Sequence, residues 1–248
     1  MFEKKEDQQA LRIMHAAIEF TSMNPDLLHE LALLRDLGYT HLDLSTQAQT
    51  QPQPHAQTAD FSEDTLDALR LETHNCNACR LAGTRTNVVF GVGNPNADLM
   101  FIGEAPGRDE DLKGEPFVGR AGQLLTDIIK AMQLTREQVY IANVIKCRPP
   151  ENRNPEPDEL EQCRPFLRRQ VALIQPKVIV TLGKFGLQSL TQKSYAISAI
   201  RGQWLDYNGI KLMPTYHPAY LLRTPSAKKE VWADMKKVMA ELGIPVPA

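Results

Sequence analysis

The stretch that most limits what this chain can become is an apolar run, Ala97-Asp98-Leu99-Met100-Phe101-Ile102, followed at once by Gly103-Glu104-Ala105-Pro106-Gly107. The run reads as a buried strand of a parallel sheet. Two glycines and a proline directly after it make a tight turn at the carboxyl edge of that sheet, where open α/β sheets place their ligands. Glu104, Asp109, Glu110 and Phe117 all fall within fourteen residues of that edge. Carboxylates beside an aromatic platform suit a planar, polar ligand such as a nucleobase. The same residues also fit a plain Gly/Pro turn with solvated acids, because strand-turn-glycine matches are frequent by chance.

The chain beyond residue 72 repeats the alternation of strand, loop and helix. Four strands are expected, at Asp98–Gly103, Val139–Ile145, Lys177–Leu182 and Ile210–Thr215. Between them lie helical patterns. Leu124, Leu125, Ile128, Ile129 and Met132 share one face of Gly122–Met132, and Pro157–Ile174 forms a second helix that Pro165 should kink or interrupt. Gly183–Leu190 opens a third directly after a strand, and Ala227–Leu242 offers Val231, Trp232, Met235, Val238 and Met239 to the core. Alternating β and α of this kind predicts a parallel sheet covered on both faces.

The first 60 residues read differently. Asn24-Pro25 starts a helix whose Leu27, Leu28, Leu31, Leu34 and Leu37 form a stripe ended by Gly38, so residues 1–44 form a helical N-terminal extension. That leucine face packs inside the chain or docks onto a partner, with replication or repair proteins as candidates. Residues 45–60 are a Gln/Thr/Pro/Ala tract without periodicity, a flexible linker. Residues 61–248 form the main domain, and Ser62 is expected to cap its first helix, ahead of Glu63 and Asp64. Charge divides along the same line: residues 1–72 carry 5 Lys/Arg against 13 Asp/Glu, and residues 73–248 carry 23 against 17. The basic portion suits a phosphate-bearing partner, whereas the acidic front would repel DNA. No apolar run approaches the roughly 18 residues of a membrane span, and the charged N-terminus lacks a signal-peptide core. No membrane association and a cytoplasmic location are expected.

All four cysteines lie in the basic portion. Cys76 and Cys79 form a Cys-x-x-Cys pair, Cys147 follows a strand in Lys146-Cys147-Arg148-Pro149-Pro150, and Cys163 lies in the next helix. In a cytosolic chain disulfides are disfavoured, and four thiols with one close pair match the ligand count of a tetrahedral zinc site or an iron–sulfur cluster. Spacing alone leaves zinc and iron–sulfur both open. Asn143 stands inside an apolar strand, where a buried amide needs partners; it braces a loop or reads the hydrogen-bonding edge of a base. His217 follows the last strand, and Arg148, Arg153, Arg201 and Arg223 add positive charge on neighbouring loops.

Together these segments resemble the family 4 uracil-DNA glycosylases, the iron–sulfur branch of that superfamily. The matching pieces are Cys76-x-x-Cys79, Gly103-Glu104-Ala105-Pro106-Gly107, Gly114 to Gly122 with Pro116-Phe117-Val118-Gly119, Asn143-Val144-Ile145-Lys146-Cys147-Arg148-Pro149-Pro150, Cys163, and His217-Pro218-Ala219-Tyr220-Leu221-Leu222-Arg223. The resemblance covers roughly residues 73–242 and none of residues 1–60. It implies a three-layer α/β/α sandwich around a four-stranded parallel sheet, in agreement with the four strands counted above. It also implies a [4Fe–4S] cluster held by all four cysteines, pinning loops near DNA instead of transferring electrons.

By motif position, Phe117 should stack on an extruded uracil and Asn143 should bond its O4 and N3 edge. Glu110 should lie near C5, where the methyl group of thymine would clash. His217 should face O2 and stabilise the departing anion, while Ala105 and Gly107 belong to the substrate turn and Arg148 and Arg223 to the DNA surface. Ala105 stands where the best-known branch has a water-orienting aspartate, so a dissociative reaction with donors aimed at the leaving group is expected. Glu104 orients the water or supports the loop. Between Gly107 and Phe117 there is neither a histidine nor an insertion, so turnover is expected in place of covalent capture of the product. No lysine in the matched motifs is placed as a Schiff-base nucleophile, so strand cleavage is not expected. Uracil-containing DNA is the expected partner, and a monomer the expected state. The rival reading is a non-catalytic DNA- or nucleotide-binding module with structural zinc.

Overall fold

A computed structural model describes residues 65–246. The leucine-striped segment, the 45–60 tract and Ser62 lie outside the described residues. The first described helix, α1 (Leu66–His74), is capped by Thr65, whose hydroxyl accepts a hydrogen bond from the Ala68 N–H at 3.1 Å.

The elements that follow are β1 (Val92–Gly93), β2 (Leu99–Gly103), α2 (Arg108–Lys113), α3 (Arg120–Ala131), β3 (Tyr140–Asn143), α4 (Pro157–Ile174), β4 (Val178–Leu182), α5 (Lys184–Thr191), α6 (Ile197–Ile200), β5 (Leu205–Tyr207), β6 (Ile210–Thr215), α7 (Pro218–Arg223) and α8 (Lys228–Glu241). The sheet runs β1-β3-β2-β4-β6-β5. Its four central strands are parallel, as the alternation predicts, but it has six strands instead of four. The two additional ones, β1 on β3 and β5 on β6, are short antiparallel edges. Both are partly exposed, so neither carries an apolar run that would mark it in the sequence.

The central strands β2, β3 and β4 are buried at every position because both faces are covered. Leu99, Phe101, Ile141, Val180 and Met213 face one layer, where they meet Leu125 and Ile129 of α3, Leu221 of α7, and Val231, Met235 and Val238 of α8. Met100, Ile102, Ala142, Ile179 and Leu212 face the other, against Leu167 and Val171 of α4 and Leu187 and Leu190 of α5. Period-2 alternation thus sorts side chains between two apolar layers, which is why the strands read as unbroken runs. The result is the expected three-layer sandwich.

Pro165 does not interrupt α4, which runs unbroken from Pro157 to Ile174. Pro165 is exposed while Phe166 and Leu167 beside it are buried. The carbonyl freed by the missing N–H therefore lies toward solvent, and the packed inner face holds the helix across the gap.

Candidate active site

Three neighbouring strand ends deliver the polar residues. Gly103 closes β2 with Glu104 after it, Asn143 closes β3 and pairs in register with Gly103, and β6 ends at Thr215, two residues before His217. Gly103 must lack a side chain: a Cβ there would press on Asn143 Oδ1 and come within 2.7 Å of ring carbon Cε2 of Phe117. The Phe117 ring in turn lies 5.6 Å from the His217 ring, tilted by 33°. Phe117, Asn143 and His217, from three distant parts of the chain, therefore gather around one point.

Phe117 reaches that point at a cost. Its φ is +55°, a left-handed conformation that a bulky aromatic rarely adopts. Three contacts impose it. The Arg136 guanidinium donates to the Pro116 carbonyl at 2.9 Å. Glu110 accepts from the N–H groups of Val118 and Gly119 with one oxygen, at 2.9 Å each, and from the Gly107 N–H with the other at 3.1 Å. Gly122 of α3 supports the loop from below: a Cβ on it would overlap the main-chain carbonyl group of Phe117 and stand 2.6 Å from its Cα. Glu110 thus clamps the Gly107 turn to the Phe117 loop, a task its sequence position did not disclose.

Gly122→Ala tests this arrangement. Overpacking against main-chain atoms, about 3 kcal/mol, outweighs better helix propensity of about 1 kcal/mol, so the melting temperature should fall by about 4–8 °C. The ring itself must move, and a displacement of about 1 Å at a reacting centre is worth about 100-fold in rate. A variant that keeps full activity would show that α3 does not set the ring's position.

Asn143 is 1% exposed, and its Oδ1 finds no hydrogen-bond partner among the described residues. An orphaned acceptor of this kind costs about 1–3 kcal/mol unless a ligand satisfies it. His217 caps α7: its Nδ1 accepts from the Ala219 N–H at 3.1 Å. The ring proton therefore belongs on Nε2, which is left as a donor. Burial, assisted by the charge of Arg223, lowers its pKa to about 4, so the imidazole is neutral at pH 7. Glu104 is half-buried, and burial raises its pKa to about 7 against the opposing pull of Lys184.

Beneath His217 the Gly183 N–H donates to the Thr215 carbonyl at 2.9 Å, which ties the ends of β4 and β6 together. The Thr215 hydroxyl donates to Asp234 at 2.6 Å, and Arg201 Nε donates to the same carboxylate at 3.0 Å. Arg201 is thereby spent inside the fold, and Arg153 likewise, donating to both oxygens of Glu159 at 2.9 and 2.6 Å. The positive charge expected of these two loop arginines is thus offset, because each lies against a buried carboxylate that needs a partner. Arg148 donates to Asn152 Oδ1 at 2.8 Å. Arg223 is exposed and its charge is felt at His217. Ala105 is partly buried against the α4 and α5 side of the core.

The four cysteines come together. Cys76, Cys79, Cys147 and Cys163 line one small pocket, of about 20 Å³. Arg85 donates to Cys147 Sγ at 3.4 Å and to the Cys76 carbonyl at 2.8 Å, and the Lys146 N–H points to Cys163 Sγ at 3.3 Å. A single zinc with Zn–S bonds of about 2.3 Å draws its four sulfurs to within about 4 Å of one another. Among the described residues no three Cys, His, Asp or Glu side chains are spaced to hold one ion. Four soft thiols lining one pocket are a donor set that suits a thiophilic metal centre. Lys146, Gln170, Arg85 and Arg136 were not picked out from the sequence. Long polar side chains carry no local sign that they will be buried; the only signal was the place of Lys146 between Asn143 and Cys147.

Residues 90–236 match the Uracil DNA glycosylase superfamily. A type-4 uracil-DNA glycosylase of Archaeoglobus fulgidus is 46% identical over 183 residues, which cover 71% of this chain and 92% of the relative. One from Thermotoga maritima is 44% identical over 179 residues, covering 71% and 93%. A type-5 uracil-DNA glycosylase of Pyrobaculum aerophilum is 28% identical over 170 residues, covering 61% and 75%.

Proposed function

This chain belongs to the uracil DNA glycosylase superfamily and, within it, to the type-4 uracil-DNA glycosylases, and we propose from its own site how it acts. It is a base-excision-repair enzyme that hydrolyses the N-glycosidic bond of deoxyuridine in DNA, releases uracil and leaves an abasic site. The observation that carries the mechanism is the unpartnered Asn143 Oδ1, buried beside an aromatic ring and a neutral imidazole donor. Uracil presents an N3–H donor next to its O4 acceptor, and the Asn143 amide complements both. Cytosine presents the reverse pattern and would leave Oδ1 unpaired. Phe117 stacks on the extruded base, whose removal from the duplex costs a few kcal/mol. As the glycosidic bond breaks, the electron pair stays on the base, and His217 Nε2–H donates to O2, where the negative charge grows. Neutrality serves this role: the donor needs no proton from solvent at pH 7.

Glu104 stands at the same strand end as Gly103, and we assign its ionised carboxylate to hold the water that adds to the cationic sugar. Glu110 holds the substrate turn and, from there, the C5 side of the base. Arg148 and Arg223 are the proposed phosphate contacts. Cys76, Cys79, Cys147 and Cys163 would hold a [4Fe–4S] cluster, which when bound supplies a cross-link between three chain segments and takes no part in hydrolysis. The main domain at 61–248, a monomeric state, a cytoplasmic location and an N-terminal docking segment belong to the same proposal. Among the described residues no helix is long and apolar enough to cross a membrane.

The test is a uracil-containing oligonucleotide assayed from pH 5 to pH 9. Release of uracil with alkali-labile strands is expected, and strands that stay intact after alkali would refute the activity. Because Glu104 must lose its proton, the rate should rise about tenfold per pH unit below 7 and level off above it. Glu104→Gln should lower the plateau and erase that inflection. It should also raise the melting temperature at pH 8 but not at pH 4.5, since a carboxylate whose pKa is raised by folding destabilises the native state only above its unfolded value. An inflection near pH 7 that survives in the variant would remove Glu104 from the reaction. Iron and sulfide analysis, with absorbance at about 400 nm, separates the cluster from the rival single zinc.

A further inference from the structure

Lys146 is 1% exposed, and no carboxylate faces it among the described residues. Its Nζ donates to the Asn143 main-chain carbonyl at 2.8 Å and to Gln170 Oε1 at 2.5 Å. Gln170, buried on the inner face of α4, is itself fixed by donating to the Phe90 carbonyl at 2.9 Å and the Tyr140 hydroxyl at 3.3 Å. The main chain of Lys146 faces two further partners. Its N–H points to Cys163 Sγ at 3.3 Å, and its carbonyl accepts from the Val89 N–H at 2.8 Å. One residue therefore grips the base-reading asparagine with its side chain and a cysteine of the metal centre with its backbone.

The need for such a grip follows from the path of the chain. β3 ends at Asn143, and Cys147 already lines the cysteine cavity four residues later. Across this short strap the sheet ladder continues only through Val144 N–H to the Gly103 carbonyl and Ile145 N–H to the Glu104 carbonyl. Asn143 lies past the last pair of β3 with its other neighbour β1, Val92 with Ile141, and Lys146 Nζ is the donor that satisfies its carbonyl. Burying a lysine for this purpose is expensive; an apolar residue would fill the space at lower cost but leave that carbonyl bare.

We propose that Lys146 is a positioning residue that couples the cysteine centre to the uracil-reading amide of Asn143 through its Nζ–Asn143 and N–H–Cys163 contacts. Order at the cysteines is thereby carried into the pocket, and a base is read sharply only while the four thiols are held together. This inference rests on the assignment of Asn143 to the uracil edge.

The experiment is a double-mutant cycle in the full chain with its metal centre loaded, using Asn143→Ala, Lys146→Met and the pair. Hydrogen exchange of the peptide spanning residues 140–147 is measured alongside single-turnover rates. Lys146→Met keeps an unbranched side chain one atom shorter and removes its donors. It should slow the reaction about 30- to 100-fold, the scale of a displaced catalytic group, and should speed exchange at 143–146. The double variant should be no slower than Asn143→Ala alone. Penalties that multiply independently, or exchange that stays at the wild-type rate, would overturn the coupling. If Lys146→Met fails to fold or to hold its metal centre, Gln170→Leu serves instead, since it frees Nζ from its anchor without touching either contact of the strap. Rates that fall only in proportion to metal content in that variant also overturn the proposal. A wild-type rate in Asn143→Ala would instead sink the pocket assignment, so the two failures are distinguishable.

Discussion

His217→Asn should slow single-turnover release of uracil by about 100- to 1000-fold, the cost of removing one donor aimed at developing negative charge, while the protein melts within a few degrees of wild type. Asparagine is the informative replacement because His217 does two things. Its Nδ1 caps α7 by accepting from the Ala219 N–H, and in the proposed mechanism its Nε2–H serves the leaving group. Asparagine is among the best helix caps, so it preserves the first task and, being shorter, abandons the second. His217→Ala removes both, and should add about 0.5–2 kcal/mol of destabilisation to a similar loss of rate. The pH profile gives an independent check. With its pKa held near 4 by burial and by Arg223, the imidazole stays neutral across the working range. No limb assignable to His217 should therefore appear between pH 6 and pH 9, and none should vanish in the variant. An asparagine variant that turns over uracil at the wild-type rate would show that the leaving group is stabilised elsewhere.

Cys147→Ala should have the largest effect on stability. The cavity it lines is shared with Cys76 and Cys79 beyond the end of α1, and with Cys163 inside α4, so three separate segments meet there. A bound centre links them as a cross-link would. Its loss should cost about 3–5 kcal/mol, on the scale of removing a native cross-link, or roughly 10 °C or more in melting temperature for a domain of this size. Absorbance at about 400 nm should disappear. Limited proteolysis should then cut between residues 76 and 90, where Arg85 loses Cys147 Sγ and keeps only carbonyl partners on 74 and 76. Activity should fall as well, because Asn143 lies four residues upstream on the same strap. Wild-type melting and intact 76–90 peptides in this variant would mean that the thiols are bystanders in a self-sufficient core.

How far the chain could be read in advance depended on how local each determinant was. The parallel strands were legible because burial on both faces leaves unbroken apolar runs such as Leu99–Ile102 and Val178–Val180. Edge strands β1 and β5 were not, since two or three half-exposed residues become a strand only when Ile141 or Leu212 offers a ladder. Pro165 does not interrupt its helix for a related reason: the rule concerns an isolated helix, whereas here Pro165 is exposed and the buried face beside it is packed. Arg153 and Arg201 looked like free cations on loops, but Glu159 and Asp234, from other elements, bind them.

What the sequence by itself determined is the order of parts: an alternating β/α domain, four thiols in its basic portion, and polar residues set at strand ends where a parallel sheet exposes its ligand edge. Those features are written in periodicity, turn chemistry and motif spacing, all of which act over a few residues. Only the tertiary structure decided which polar atoms are left without a partner at the strand ends and which are consumed in holding the fold. The left-handed turn at Phe117 and the burial of Lys146 depend on Arg136 and Gln170, partners brought in from elsewhere in the chain. The clamp formed by Glu110 and the tautomer of His217 are instead set by main-chain N–H groups within nine residues, which only the folded turn aims at them. A polar side chain does not announce its partner: whether it serves chemistry or scaffold is settled by what the fold places within hydrogen-bonding distance, about 3 Å.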